Sequence, residues 1–236
     1  MIPQFGTLEI SRSRLRHNLA LLQQNAGRAK LCATIKANAY GHGIQPLSQL
    51  MEAEGIEWAC VYNLQEAIDL ASRFHTLVLA PLQSLESHDT EIFGRIASMR
   101  DIVRRLDDRN GQPIIRINIT TIDSARELSK LAAESKIQGG IRIHMQIDAG
   151  LNRAGIEPRE APALADIIGS LPHLALEGVF AHFSHGDEPG HPTLHQQTTT
   201  LLRAADEIKV KFPNLLVHIQ NSGGTFHVDR QNAFDL

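Results

Sequence analysis

The sequence has few of the features that mark secreted, membrane or nucleic-acid-binding proteins. Its 236 residues include two cysteines, Cys32 and Cys60, which is too few for a disulfide framework. No run approaches the roughly 20 apolar residues of a membrane span, and the first residues lack the pattern of a signal peptide. The formal net charge of -3 gives no reason to expect nucleic acid or an anionic membrane as a partner. We therefore expect a soluble, cytoplasmic protein.

The chain instead shows a regular alternation of short apolar runs and longer amphipathic segments. Hydrophobic residues make up 42% and charged residues 21% of it, which is typical of a globular domain with a sizeable core. The apolar runs predict seven strands, at residues 31–36, 57–62, 76–80, 113–119, 141–147, 176–183 and 215–220. Helices are predicted at residues 11–24, 44–53, 64–73, 84–106, 124–134, 162–169 and 193–211.

This alternation predicts an α/β fold in which helices cover both faces of a parallel sheet. An open doubly wound sheet and a (β/α)8 barrel both satisfy the pattern. A closed barrel needs eight strands, and only seven are visible in the sequence. Because the chain contains no internal repeat and no linker, we treat residues 1–236 as one domain.

Lys36 ends the first predicted strand and is followed by a segment of small residues at 37–43 (ANAYGHG). In a parallel barrel, the carboxyl ends of the strands form the mouth in which active sites lie. A lysine amine placed there can form a Schiff base with a carbonyl compound. Gly41 and Gly43 permit a close approach of the backbone to a bulky ligand. Taken alone, a lysine at a strand end is more often an ordinary surface residue.

Arg153 follows the fifth predicted strand, within residues 148–155 (DAGLNRAG). Its guanidinium can donate hydrogen bonds to a phenolate or a carboxylate. The ordinary alternative is a surface ion pair with Asp148.

His182 lies among apolar neighbours at the end of the sixth predicted strand, where a hydrogen-bonded core histidine is the ordinary alternative to an acid or base. The nearby His185, Asp187 and His191 match no standard zinc spacing, so we expect no metal site.

The loop after the seventh strand, residues 221–224 (NSGG), could offer a hydroxyl and backbone N–H groups to a phosphate. Loops at this place are the usual phosphate grip of barrels, although a glycine-rich turn capped by Asn221 or Ser222 is the ordinary alternative. All four signals fall at the carboxyl ends of predicted strands, so they would converge on one mouth.

Four segments together resemble the alanine racemases. Residues 33–43 (ATIKANAYGHG) resemble the long and specific lysine signature of that family, whose cofactor is pyridoxal 5'-phosphate (PLP). Residues 150–155 (GLNRAG), 181–183 (AHF) and 221–222 (NS) match further family segments in the same order and at compatible spacing. The opening residues 8–20 are similar as well, so the resemblance covers essentially the whole chain.

The resemblance implies a PLP-binding (β/α)8 TIM-type barrel. Lys36 would hold PLP covalently, and Lys36, Arg153 and His182 would be the catalytic residues. Arg153 would face the phenolic oxygen, and His182 would support the arginine that faces the pyridine nitrogen. The implied cofactor-binding residues are Lys36, Tyr40, Arg153, His182, Asn221 and Ser222, with Tyr40 and Ser222 at the phosphate.

In the family mechanism that the resemblance implies, Lys36 moves a proton on one face of the substrate Cα, and a tyrosine of the partner subunit serves the other face. Two bases on opposite faces are what inversion requires. The implied activity is the interconversion of L- and D-alanine, which supplies D-alanine for peptidoglycan. The enzyme would be a cytoplasmic homodimer that binds neither nucleic acid nor a membrane.

Two departures from the family are visible. Gln146 stands where many members carry a lysine seven residues before the arginine; it can hydrogen-bond to Arg153 but brings no charge. The chain also ends at residues 234–236, where the family continues into its eighth strand and a β-rich domain. We therefore expect a truncated barrel without its eighth strand, with unpaired edges on strands one and seven, and with little or no activity on its own.

Other interpretations remain open. A single-domain PLP-binding protein of the homeostasis type would have a similar length, although its lysine motif differs. A non-catalytic fragment that associates through its open strand edges is a further alternative. Within the racemases, the substrate could be serine or another amino acid.

Overall fold

In the part of the chain that the structure describes, seven parallel strands, each paired with its neighbour in sequence, form a single sheet. The computed structural model describes residues 7–70, 73–82, 115–134, 140–219, 221–227 and 234–236. The strands are β1 (Cys32–Thr34), β2 (Trp58–Val61), β3 (His75–Pro81), β4 (Ile115–Ile119), β5 (Ile141–Gln146), β6 (Leu174–Phe180) and β7 (Leu216–His218). The predicted strands are confirmed, although most are shorter than the apolar runs, and Pro81 is the last residue of its strand.

Helices follow the strands, as expected for parallel pairing. They are α1 (Arg12–Ala26), α2 (Lys36–Tyr40), α3 (Ile44–Ala53), α4 (Leu64–Leu70), α5 (Ile122–Glu134), α6 (Ala161–Ser170), α7 (Pro192–Lys209) and α8 (Ser222–His227). The short elements α2 and α8 were not predicted, and the predicted helix at residues 84–106 lies outside the described residues. No described helix is long and apolar enough to cross a membrane.

The sheet curls until side chains of distant strands meet inside it. The guanidinium carbon of Arg116 on β4 lies 4.4 Å from the ring centroid of Trp58 on β2. The ring of His144 on β5 lies 6.3 Å from that of Trp58. An open, flat sheet would keep β2 and β5 apart, so these contacts confirm the barrel-type fold and not the open doubly wound sheet.

The last described residues lie between the two ends of the sheet. The backbone N–H of Asp235 donates to the carbonyl of Val217 on β7, and the N–H of Lys30, just before β1, donates to the carbonyl of Asp235. The carboxylate of Asp235 also accepts the N–H of Val217 at 2.9 Å, and Phe234 is buried. The described residues contain seven strands, as predicted. The prediction that the edge of β7 is unpaired is wrong at Val217, because Asp235 forms hydrogen bonds with both the N–H and the carbonyl of Val217.

Alternation along the strands sends side chains into two different environments. Outward-facing apolar residues such as Ile117, Ile143 and Val179 are buried in one continuous core that also contains Leu128 of α5 and Leu201 of α7. Inward-facing positions are polar in the middle of the sheet. A bulge in β6 contributes to this, because Ile143 pairs with Leu176 while His144 pairs with Gly178, which leaves Glu177 as the additional residue.

Candidate functional site

Lys36 lies two residues beyond the end of β1, at the carboxyl edge of the sheet. The next four residues, Ala37, Asn38, Ala39 and Tyr40, all have positive φ angles of 52–54°. Together with Gly41 they form a left-handed turn, a conformation that non-glycine residues rarely adopt even singly. Within the described residues, the amine of Lys36 makes no hydrogen bond or ion pair.

Tyr40 lies at the end of this turn with 60% of its surface exposed. Its hydroxyl makes no hydrogen bond to any residue that the structure describes. The proposed phosphate contact of Tyr40 therefore stays a prediction from the resemblance.

Arg153 sits on a loop that leaves and returns to the end of β5. The N–H of Asp148 donates to the carbonyl of Ile156, and the N–H of Ile156 donates to the carbonyl of Gln146. The carboxylate of Asp148 accepts the N–H groups of Gly150 and Asn152, each at 3.0 Å. Asp148 thus stabilises the fold of the loop and forms no ion pair with Arg153 in the described part of the chain. The alternative that Arg153 is only the partner of Asp148 in a surface ion pair therefore does not apply.

Gln146 does not contact Arg153, contrary to the suggestion from its position in the sequence. Its side-chain oxygen accepts a hydrogen bond from Asn118 at 3.0 Å, and the backbone N–H of Gln146 donates to Asn118 at 3.3 Å. Both side chains are buried between β4 and β5. Arg153 is exposed and makes no hydrogen bond within the described residues.

The charges of residues on two other loops act on His182. It follows β6 and is half-buried. Burial lowers the pKa of His182, and the positive charges of Arg153 and Lys36 lower it further. These three residues lie on the segments that follow β1, β5 and β6, and their convergence on one mouth stays a prediction.

The loops after β6 and β7 are packed tightly against each other. Asn221 caps α8, because its side-chain oxygen accepts the N–H of Gly224 at 2.8 Å. A Cβ on Gly223 would lie 2.3 Å from the carbonyl oxygen of Gly186, so a larger residue cannot be accommodated there. Ser222 begins α8 and is exposed at the mouth. Asn221 therefore has a structural role as a cap, and Ser222 is available to a ligand.

His185 and His191 form a separate stacked pair on the loop that follows β6. Their ring centroids are 4.0 Å apart, and the Nδ1 atoms of both lie within hydrogen-bond distance of the hydroxyl of Thr193. Among the described residues, no group of three or more His, Cys, Asp or Glu side chains is placed to hold a metal ion.

A buried polar cluster fills the barrel beneath the mouth, and sequence reasoning missed it. Arg116 donates from Nε and Nη2 to the two carboxylate oxygens of Glu177, at 2.6 and 3.1 Å. Arg116 also donates to Nδ1 of His75 at 3.0 Å. We call this set the lumen cluster; its members are Trp58, His75, Arg116, His144, Glu177 and His218.

Glu177 determines the hydrogen-bond direction through the cluster. Its carboxylate can only accept, so His144 donates from Nε2 at 3.0 Å. Burial lowers the pKa of both His144 and His218, which keeps them neutral. Nδ1 of neutral His144 is then an acceptor, and His218 donates to it from Nε2 at 2.9 Å. A Cβ on Gly178 would collide with the ring of His144 at 2.8 Å, so glycine is required beside it.

Glu177 remains ionised although it is largely buried. Burial acts to raise its pKa, but hydrogen bonds from His144 and Arg116 and the charge of Arg116 outweigh this and lower the pKa to about 2. The contact with His144 is accordingly one between a neutral imidazole and a carboxylate.

Comparison with known proteins gives one consistent result. The protein-family model described as alanine racemase, N-terminal domain, matches residues 10–236. The alanine racemase of Chlorobaculum tepidum is 29% identical over 195 residues, which are 82% of this chain and 47% of that protein. The chain spans about half the length of the curated relatives that it matches.

Solved structures share the fold. The alanine racemase from Bartonella henselae with covalently bound pyridoxal phosphate has a TM-score of 0.72 at 18% identity, covering 96% of this chain and 56% of that one. The histidine racemase from Leuconostoc mesenteroides has a TM-score of 0.71 at 21% identity, covering 93% and 55%. The same barrel is thus present in racemases named for different amino acids.

Proposed function

Because this chain belongs to the alanine racemase N-terminal domain family, we propose that it is the cofactor-binding barrel of a PLP-dependent amino-acid racemase, with Lys36 as the lysine that holds the cofactor. The observation that carries this proposal is that Lys36, Arg153 and His182 lie on the segments that follow the carboxyl ends of β1, β5 and β6 in one curled parallel sheet. A lysine at an ordinary strand end would not share its surroundings with a second cation and a half-buried imidazole.

The residues at the mouth fit PLP chemically. A covalent link to its aldehyde needs an amine that is not engaged elsewhere, and Lys36 has no hydrogen bond or ion pair within the described residues. Arg153 is likewise not engaged by Asp148, whose carboxylate is occupied by Gly150 and Asn152. The close approach of Gly223 and Gly186 leaves Ser222 exposed at the mouth. These features suit a ligand that carries an aldehyde, a phenolate and a phosphate.

We assign roles on this basis. PLP, when bound, delocalises the electron pair left at the substrate Cα. Lys36 would hold the cofactor through Nζ, and the same amine, once free, would move a proton at Cα on one face. Arg153 would hold the phenolic-oxygen side of the cofactor, His182 would support its ring-nitrogen side, and Tyr40 and Ser222 would hold its phosphate. Inversion needs a second base on the opposite face, which we assign to a tyrosine of a partner subunit.

Alanine is our proposed substrate, and D-alanine for peptidoglycan is the proposed product, in a cytoplasmic homodimeric enzyme. The support is that the curated relatives reported above are alanine racemases. The barrel alone does not select the amino acid, since the same fold occurs in a histidine racemase.

The test is to add PLP to the purified chain, reduce with borohydride and map the modified residue. We expect the label on Lys36 and its loss in Lys36→Ala. Lys130, Lys209 and Lys211 provide an internal reference, because they are lysines on the outer helices or just after them. Equal labelling of these lysines and of Lys36 would contradict the proposal.

Substrate preference is tested separately, by following exchange of the Cα hydrogen in deuterium oxide. We expect the PLP-loaded chain to exchange one enantiomer of alanine faster than it inverts it, because Lys36 serves one face only. Rapid inversion by this chain alone would show that a second base is already present in it. Faster exchange of serine or histidine than of alanine would exclude alanine as the preferred substrate.

A further inference from the structure

The carboxylate of Glu66 ties the turn after Lys36 to the next loop of the barrel. Oε1 accepts the backbone N–H of Ala37 at 2.7 Å, and Oε2 accepts the backbone N–H of Tyr62 at 2.8 Å. Glu66 lies in the first turn of α4, so one side chain connects the ends of β1 and β2. We propose that Glu66 is a positioning residue that orients Lys36 toward the mouth.

The location of the bond explains why it would act on Lys36. The N–H of Ala37 belongs to the peptide plane that starts at the Cα of Lys36. A hydrogen bond to this N–H restrains the ψ angle of Lys36, and with it the direction in which the side chain leaves the backbone. The inference rests on the proposed role of Lys36, but the restraint itself exists without any cofactor.

The turn needs such a restraint because its conformation is unfavourable. Four consecutive non-glycine residues are left-handed, and each adopts this conformation at a cost in free energy. Backbone of this kind persists only where the surroundings over-determine it.

The other bonds of the turn are local. Ala39 N–H donates to the carbonyl of Ile35 at 2.9 Å, and the side-chain oxygen of Asn38 accepts the N–H of Ile44 at 2.8 Å. These bonds shape the turn but leave its orientation relative to the barrel open. Glu66 provides the anchor on a neighbouring element, directly at the residue where the left-handed region begins.

A competing explanation is that Glu66 only stabilises the start of α4. Asn63 makes this explanation testable, because its side chain accepts the N–H of Glu66 at 3.0 Å and caps the same helix. Among the described residues, Asn63 makes no hydrogen bond to Ala37. Asn63→Ala therefore weakens the helix start and leaves the bond to Ala37 in place.

The experiment compares the full chain with Glu66→Gln, Glu66→Ala and Asn63→Ala, first by amide hydrogen exchange without cofactor. We expect exchange at Ala37 to accelerate at least about tenfold in Glu66→Ala, as for the loss of a hydrogen bond to a charged group. Glu66→Gln retains one acceptor oxygen and should show a smaller acceleration. Asn63→Ala should leave Ala37 unchanged while the amides of α4 exchange faster.

Labelling with PLP and borohydride is the second readout. We expect Glu66→Ala to lower the label on Lys36 several-fold relative to Lys130, and Asn63→Ala to retain it. If both variants change exchange and labelling alike, Glu66 is a helix cap only and the inference is overturned. If Glu66→Ala does not fold, Glu66→Gln is compared with Asn63→Ala by the same criteria.

Failure of the proposed function would look different. The wild-type chain would then label Lys36 no more than its surface lysines, while the accelerated exchange at Ala37 in Glu66→Ala would still show the restraint. Unchanged exchange at Ala37 in both Glu66 variants overturns the inference regardless of labelling.

Discussion

The barrel carries charged side chains in two regions that differ in how those charges are balanced. In the lumen cluster, Arg116 and Glu177 are held by two hydrogen bonds and surrounded by protein. At the mouth, Lys36 and Arg153 make no ion pair among the described residues, and both of their charges lower the pKa of His182. Balanced charges stabilise a fold, whereas cations left without a carboxylate are suited to an anionic ligand. The difference separates the part of the interior that supports the barrel from the part that can do chemistry.

Removing the carboxylate of the lumen cluster should have the largest effect on stability. Glu177→Ala takes away the carboxylate to which both Arg116 and His144 donate and breaks the buried ion pair. We expect the free energy of unfolding to fall by about 3–5 kcal/mol, as for other broken buried pairs. Denaturant unfolding measures this. Asp166→Ala, which removes the partner of the exposed Lys211, is the control and should cost less than about 1 kcal/mol; equal costs would contradict the contrast.

Acidification should have the next largest effect on stability, through the same lumen cluster. The pKa of Glu177 is about 2 in the folded chain against 4.5 ordinarily, so its stabilisation is complete above about pH 4.5 and is lost as pH falls toward 2. Burial lowers the pKa values of His144 and His218 from 6.5, so their contribution is complete above about pH 6.5 and is lost below it. We expect Tm to decline below about pH 6.5 and more steeply below 4.5. A Tm that rises on acidification through this range would be incompatible with a neutral His144.

The hydrogen bond from the N–H of Val217 to the carboxylate of Asp235 should contribute less to the free energy of unfolding. Asp235→Ala removes the carboxylate that accepts the N–H of Val217 and keeps the backbone bonds. We expect a loss of about 1.5–3 kcal/mol, the usual range for a hydrogen bond to a charged group. Asp235→Asn keeps an acceptor oxygen and should recover most of it. If both variants match the wild type in denaturant unfolding, the contact does not stabilise the barrel.

At the mouth, substitution should leave stability nearly unchanged. Arg153→Ala removes an exposed side chain without a hydrogen bond among the described residues, so unfolding should shift by no more than about 0.5 kcal/mol. The same variant should bind PLP several-fold more weakly, as judged by absorbance titration. A lower free energy of unfolding without any change in PLP affinity would show that Arg153 has a structural role.

The strands and Lys36 could be predicted because their signals are local. Apolar runs mark buried strands, and the residues around Lys36 form a long motif. The lumen cluster could not be found in this way, since Arg116, His144 and Glu177 lie on three different strands and become neighbours only when the sheet curls. A charged residue inside an apolar strand was the available signal. For Glu66, the available signal was the capping pattern Asn63-x-x-Glu66.

The contact between Lys30 and Asp235 also has a consequence for the order in which the barrel forms. Every strand pairs with its neighbour in sequence, so the sheet can grow one strand at a time with modest loop-closure entropy at each step. Lys30 and Asp235 are roughly 200 residues apart along the chain, and their contact has no such short loop. During synthesis the sheet can therefore assemble from β1 onward as the chain emerges. The contact between Lys30 and Asp235, which links the described ends β1 and β7, can form only after the seven described strands have been made.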